Sequence, residues 1–156
     1  MNTLEHLEQE AADKNIDVIY YSFESDRIKG LCGDRTIALS KRLKAYKEKA
    51  CVLAEEIAHH DLNVGDITDQ SVGNNRWQEH KARMMSYDRM VGLRGLINCF
   101  EAGDRNLYEM ADRLDVPEWF LKEVIEGYRL RYGEGVQVDN FVLSFEPYFN
   151  IIEMLD

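Results

Sequence analysis

One stripe of apolar residues constrains the fold of this chain more than any other feature. Its members follow one another at spacings of 3, 4, 3 and 4 residues: Leu43, Tyr46, Ala50, Leu53 and Ile57. That spacing puts all of them on one face of an α-helix, which must then pack against a core. Ser40 is a suitable N-cap, so the pattern predicts a helix that runs from there to about His60.

The segment before this helix is predicted to form a small β-sheet. Residues 17–23 are rich in β-branched and aromatic side chains, which favours a strand. Residues 27–32 and 35–39 flank a turn at Gly33 and Asp34, which predicts a hairpin. We expect a largely antiparallel sheet of about three strands.

Helical patterns account for most of the remaining chain. Further helices are predicted at residues 3–14, from about 74 to 91, and at 93–101, 107–114 and 117–130, with Thr3, Asn74 or Asn75, and Pro117 at or near their starts. The fold class is therefore α+β, with about six helices. The polar segment 62–75 is predicted to be a loop, and Phe141, Leu143 and Phe145 alternate as in a strand.

A chain of 156 residues predicts a single domain over residues 1–156. Within it we expect the sheet and the first long helices at about 15–102, a helical pair at about 106–132 and a C-terminal tail at 133–156. The sequence leaves open whether the tail packs on its own domain or binds a partner. It also leaves the oligomeric state open.

The charge balance argues against direct binding of nucleic acid. The chain has 29 acidic against 19 basic residues and a net charge of -10, whereas such binding usually requires a basic surface. Residues 106–130 have helix-turn-helix spacing, yet residues 106–124 hold five acidic side chains and only Arg113 and Lys122 as bases. The pair is therefore predicted to serve packing or protein binding.

The remaining composition favours a cytoplasmic protein. No run approaches about 18 apolar residues, so no membrane span is expected, and the acidic N-terminus lacks the apolar stretch of a signal peptide. Three cysteines without a C-x-x-C pair argue against a disulfide framework and for a reducing compartment.

The end of the long helix carries the pattern E-E-x-x-H. Glu55 and His59 are four residues apart, so they lie one above the other and could hold one metal ion. Glu56 is turned by about 100° from Glu55 and could hold a water molecule beside such an ion. The alternative is an ordinary solvated helix face, because the pair lies opposite the apolar stripe.

A zinc peptidase needs a third protein ligand from a neighbouring element and leaves the fourth position open. Glu79 lies on the next predicted helix, 20 residues after His59, which fits the gluzincin arrangement. His60 and His80 could replace a ligand or polarise a substrate carbonyl, and Tyr87 could stabilise an oxyanion. Partly exposed histidines and a core tyrosine are the alternatives for these three.

The order of these motifs resembles the ImmA/IrrE family of metallo-endopeptidases found in phages and mobile elements. A strand ending in I-A-L-S precedes L-A-E-E-I-A-H-H, and a polar loop leads to N-R-W-Q-E-H-K-A-R. The likeness covers roughly residues 15–130. It implies a zincin-like centre in which Glu55, His59 and Glu79 bind Zn²⁺ and Glu56 is the general base. The sequence departs from the family at Glu55, where His is usual, and at Ala58, where Gly is usual.

The exchange at position 55 has a physical consequence. A His-His-Glu set around Zn²⁺ leaves a net charge of +1, whereas Glu-His-Glu leaves zero, so the ion should acidify its water less. Oxygen ligands also favour harder ions, which makes Mn²⁺ the alternative metal. The resemblance implies a narrow protein substrate, namely a transcriptional repressor of the same mobile element. We expect this substrate to add to strand 35–39 if that strand is an edge.

A second interpretation belongs to another functional class. The chain could be a protein-binding module that kept the fold without the catalysis, acting like an antirepressor through stoichiometric contact. The exchanged histidine and the apolar tail both favour it. The metal content of the purified protein separates the two interpretations.

Overall fold

The computed structural model describes residues 1–65 and 72–155, without the side chains of 64–65 and 72–75. These residues divide into two compact units, Met1–Arg89 and Met90–Asp156. The predicted α+β class is confirmed, with six helices and six short strands in the described residues. None of the described helices is both long and apolar enough to cross a membrane.

The first unit combines three helices with one sheet. Its elements are α1 (Thr3–Asp13), β1 (Asp17–Tyr21), β2 (Gly30–Cys32), β3 (Thr36–Ser40), α2 (Tyr46–Gly65) and α3 (Val72–Met90). Part of the predicted loop 62–75 lies outside the described residues, and α3 begins at Val72, before the predicted caps Asn74 and Asn75. The first helix is capped by Asn2 rather than Thr3, and its side chain accepts a hydrogen bond from the Glu5 amide.

The sheet of the first unit has the strand order β1-β3-β2. The predicted hairpin is present, with β2 antiparallel to β3 and Leu31 opposite Ala38. The first strand pairs with β3 in parallel, Ile19 opposite Ala38. Since β3 is central, the expected addition of substrate to strand 35–39 is wrong: both sides of that strand are already hydrogen-bonded. In this sheet, as far as the structure describes it, β1 and β2 are the edge strands.

The long helix α2 buries three residues of the predicted stripe, whereas Tyr46 at its start is exposed and Leu43 lies before it. Ala50, Leu53 and Ile57 are almost completely buried. The helix begins later than predicted, at Tyr46, because Ser40 is the last residue of β3 and its hydroxyl accepts a hydrogen bond from the amide of Arg42. Cys51, Ala54 and Ala58 are buried as well, so the second half of α2 is covered on more than one side.

Ion pairs join the three helices of the first unit at one end. The Lys14 ammonium lies 2.9 Å from an Asp61 carboxylate oxygen on α2 and 3.2 Å from Glu10 on α1. Arg89, near the end of α3, forms an ion pair with Glu10. The end of α2 that follows the E-E-x-x-H segment is thereby attached to its neighbours.

The second unit contains α4 (Gly92–Glu101), α5 (Leu107–Leu114), α6 (Glu118–Tyr132), β4 (Gly135–Val138), β5 (Phe141–Ser144) and β6 (Asn150–Glu153). The helical pair is present as predicted. Asn106 caps α5 by accepting a hydrogen bond from the Glu109 amide, and Pro117 is the N-cap of α6 rather than its first residue.

The C-terminal segment forms a second sheet instead of a lone strand. Its order is β4-β5-β6, with both pairs antiparallel. Leu143 and Phe145 are buried, and the Phe145 ring stacks on Tyr132 of α6 with ring centroids 6.2 Å apart. The tail therefore packs on the helices of its own unit. The assignment of residues 1–156 to a single domain stays a prediction.

Candidate metal centre

Three side chains that can ligate a metal converge between α2 and α3. Glu55 and His59 lie one turn apart on α2, and Glu79 lies on α3. One potential ligand atom from each of them lies within 4.8 Å of the other two. In the part of the chain that the structure describes, no other three His, Cys, Asp or Glu side chains come together in this way.

Two pairs of facing side chains, one turn apart, connect α2 with α3 at the cluster. His59 Nε2 lies 3.2 Å from Glu79 Oε1, and one helical turn away Glu55 Oε1 lies 4.0 Å from Nε of Arg83. From the first pair to the second, the residue number falls by four on α2 and rises by four on α3. The two helices therefore run antiparallel where they face each other. The helical geometry that makes Glu55 and His59 neighbours therefore also makes Arg83 the neighbour of Glu79.

The cluster lies at the edge of the protein interior rather than on a fully solvated helix face. The exposed fraction is 13% for the side chain of His59, 28% for Glu55 and 55% for Glu79. Two ligand candidates are thus mostly shielded, while the third opens to solvent. Such a site could hold an ion firmly and still admit a water molecule or a substrate group from the side of Glu79.

Glu56 is half-buried beneath the edge strand β2. A β-carbon placed on Gly30 would lie 3.0 Å from Cγ and 3.2 Å from Oε1 of Glu56, and 2.7 Å from Val52 Cγ1. Only a glycine lets the strand come this close to α2. Burial, and to a smaller extent the negative charges of Glu55 and Glu79, raise the pKa of Glu56 to about 7. A carboxylate with such a pKa is suited to take up and release a proton near neutral pH.

Cys32 also lies on β2, and it is not one of the three residues of the ligand cluster. Burial raises the pKa of this thiol to about 11, with smaller contributions from the charges of Glu56 and Asp61. The Cys32 thiol donates a hydrogen bond to the carbonyl of Gly33 at 3.4 Å.

The three auxiliary residues proposed from the sequence lie outside the ligand cluster. The ring of His60 lies with Nδ1 3.5 Å from Asp61 Oδ1, next to the ion pairs that join the helices. His80 is exposed on α3, on a different face from Glu79. Tyr87 is 5% exposed and belongs to the buried part of α3. Their catalytic roles stay predictions.

Two neighbours of the site were missed at the level of sequence. Arg83 lies four residues after Glu79, which puts the two on one face of a helix, and Gly30 lies three residues before the predicted turn. These spacings are the signals by which the sequence could have pointed to them. Neither signal was sufficient, because the facing residues on α2 depend on how α2 lies against α3 and against β2.

Comparison with known proteins agrees with the geometry. Residues 11–123, well over half of the chain, match the family Peptidase_M78, described as the IrrE N-terminal-like domain. The match begins in α1 and ends in α6, so it includes both helices of the cluster. No curated protein matches the sequence.

Proposed function

Because the chain belongs to the family of the IrrE N-terminal-like domain, Peptidase_M78, we propose that it is a metal-dependent endopeptidase. In this proposal Glu55, His59 and Glu79 hold a divalent cation, and Glu56 is the general base. The observation that carries it is the convergence of the three potential ligand atoms within 4.8 Å of one another.

The donor set fits a divalent cation. Two carboxylates and one imidazole are ligands that zinc accepts, and three protein ligands leave the fourth position open. Two ligands of a tetrahedral ion with bonds of about 2.0 Å lie about 3.3 Å apart. The distance of 3.2 Å between His59 Nε2 and Glu79 Oε1 supports this arrangement. Zn²⁺ is therefore the proposed metal, with Mn²⁺ as the alternative because two of the three donors are oxygens.

Glu56 has the position and the proton affinity of a general base. Its helix turns it away from Glu55 and His59, so it can act beside the ion without binding it. A pKa raised to about 7 keeps a fraction of the carboxylates ionised at neutral pH and makes the protonated form a useful acid. The bound ion would polarise the scissile carbonyl. Glu56 would remove a proton from the attacking water and deliver it to the leaving amine.

The substrate is proposed to be an extended protein segment that adds to β2. This strand is an edge of the described sheet, and it lies directly above Glu56 at Gly30. Backbone hydrogen bonds along an edge strand orient a peptide without depending on its sequence. Leu31, 59% exposed, would then contact a substrate side chain. The family resemblance suggests a transcriptional repressor of a phage or another mobile element.

A second candidate is a protein-binding module without catalysis, acting like an antirepressor. Glu55 stands where the family usually has His, and it lies 4.0 Å from the guanidinium of Arg83. A carboxylate paired with a protein cation does not need a metal ion. This candidate predicts relief of repression without hydrolysis.

Metal binding tests the proposal directly. Elemental analysis of gently purified protein should find about one divalent ion per chain. Glu79→Ala should weaken that binding by orders of magnitude, since it removes one of three ligands, whereas the adjacent His80→Ala should leave it unchanged. Less than a tenth of an equivalent of metal, with no rebinding of zinc or manganese, would contradict the peptidase.

The second candidate is separated by Glu56→Gln. The amide is almost isosteric with the carboxylate, so metal binding should persist while cleavage of a co-expressed repressor falls by about 10² to 10⁴. If this variant relieved repression in cells as well as the parent protein, hydrolysis would not be the function, and the binding module would be the better conclusion.

A further inference from the structure

We propose that Arg83 is a positioning residue of the metal site. With Glu instead of His at position 55, the ion and its ligands together have one positive charge less, and Arg83 supplies that charge. The inference rests on the proposed function, since it assumes that Glu55, His59 and Glu79 hold a dication. It concerns a residue that neither the sequence motif nor the family match assigns to the site.

The geometry connects Arg83 to one ligand in particular. Its Nε lies 4.0 Å from Oε1 of Glu55, and its place four residues after Glu79 puts it on the same face of α3. The backbone carbonyl of Arg83 accepts a hydrogen bond of 2.6 Å from the hydroxyl of Ser86, which is buried. The backbone of Arg83 is thus joined to a buried residue of α3, while half of its side chain stays exposed.

The charges explain why an arginine is useful at this position. Glu55 and Glu79 together carry two negative charges and neutral His59 carries none, so the set cancels a dication completely. With His at position 55 the same ion would keep one positive charge. Arg83 adds this charge back, and it remains protonated at every pH at which the protein folds.

The chemistry of the pair allows both contacts at once. A carboxylate has two oxygens and about four lone-pair positions, so Glu55 can face the ion with one oxygen and the guanidinium with the other. An exposed ion pair contributes only about 0–1 kcal/mol to stability. The pair is therefore a weak candidate for a structural device. Its position beside the ligand cluster suits it instead to change the net charge of the site and the affinity for the ion.

The test is a double-mutant cycle on metal affinity. Zinc affinity is measured by competition with a chelating indicator at one pH for the parent, Arg83→Gln, Glu55→His and the double variant. A unit positive charge a few Å from a dication changes its affinity by about ten-fold in surroundings that resemble water. Arg83→Gln should therefore bind zinc about ten-fold more tightly than the parent. The gain should shrink at high salt, because salt screens exposed charges.

The same substitution should do much less in the Glu55→His background, changing the affinity by no more than about two-fold. Without the carboxylate, nothing at position 55 attracts the arginine, and its exposed side chain can extend into solvent. A dependence of one substitution on the other is the signature of a residue that acts through its partner. Loss of folding would weaken binding in both backgrounds, which is the opposite result.

Two control variants sharpen the reading. Arg83→Lys keeps the charge and should stay within about three-fold of the parent. Lys81→Gln removes a cation from the same helix, where its ammonium lies 4.6 Å from the centre of the Trp77 ring, and should leave zinc affinity unchanged. Unchanged or weaker binding by Arg83→Gln, or equal effects in both backgrounds, would overturn the inference while the peptidase proposal stands. A parent protein that binds no divalent ion would overturn both.

Discussion

Replacement of Glu56 by Gln should stabilise the metal-free protein at alkaline pH. The carboxylate of Glu56 is half-buried beneath β2 and lies near two further carboxylates, and its pKa is raised to about 7 from an ordinary value of 4.5. Burial is the larger cause, and the charges of Glu55 and Glu79 follow. Ionisation of this group is therefore costlier in the folded chain than in the unfolded chain.

The sign and size of the effect follow from proton linkage. Between pH 4.5 and about 7 the folded state binds more protons than the unfolded state, so the free energy of unfolding falls as the pH rises. The cost is absent below pH 4.5 and complete above about pH 7. The difference between these pKa values corresponds to about 3 kcal/mol. Gln has no charge to bury, so the variant should recover up to that amount at pH 8 and little at pH 4.

Urea unfolding monitored by circular dichroism, in the presence of a chelator, measures this difference at a series of pH values. Glu24→Gln provides the matched control, because the same chemical change at an exposed carboxylate should leave the pH dependence unaltered. Saturation with zinc should reduce the advantage of Glu56→Gln, since an ion held by Glu55 and Glu79 cancels their repulsion. Equal stability of parent and variant at pH 4 and pH 8 would refute the reasoning.

Three further predictions follow from other parts of the fold. Gly30→Ala should lower the free energy of unfolding by about 1–3 kcal/mol, because the new β-carbon would lie 2.7 Å from Val52. Denaturant titration measures this, with Gly33→Ala as the control, because a β-carbon at Gly33 would have no neighbour closer than 3.4 Å. Asn106→Ala should cost about 1 kcal/mol by removing the cap of α5, measured in the same way. The chain should not bind duplex DNA in a salt-sensitive manner, and sub-micromolar affinity at about 0.15 M salt in fluorescence anisotropy would contradict its net charge of -10.

Local sequence patterns were sufficient for most of the elements but not for the order of the strands in the first sheet. The hairpin of β2 and β3 could be predicted, because a turn and two flanking strands are close in the chain. The parallel pairing of β1 with β3 could not be predicted, because it depends on which edge of the hairpin β1 lies against, and no local pattern determines that. That pairing makes β3 central and moves the open edge to β2. In the tail the strand β5 was predicted, but β4 and β6 were missed for a related reason: each is defined by its pairing with β5, which no local pattern contains.

The candidate ligands could be found in the sequence because helix geometry fixes Glu55 against His59 and the following helix offered Glu79. The structure brings one potential ligand atom of each within 4.8 Å of the other two, and their role as metal ligands stays a prediction. Arg83 could not be found in this way. Its contact with Glu55 depends on the register of α3 against α2, a relation between two helices that neither sequence segment contains.

Charge repulsion connects the ligand candidates, Glu56 and Arg83 at the α2–α3 cluster. Three carboxylates, those of Glu55, Glu56 and Glu79, lie near one another, and the charges of Glu55 and Glu79 add to the effect of burial in raising the pKa of Glu56. A protein selected for stability alone would not bring such groups together, and violations of this kind concentrate at functional sites. Arg83 offsets one charge from the exposed side. A dication would offset the charges of Glu55 and Glu79, so Glu56 would be the one carboxylate of the three that does not bind the ion. The repulsion that destabilises the metal-free fold is thus the same free energy that would favour binding of the ion.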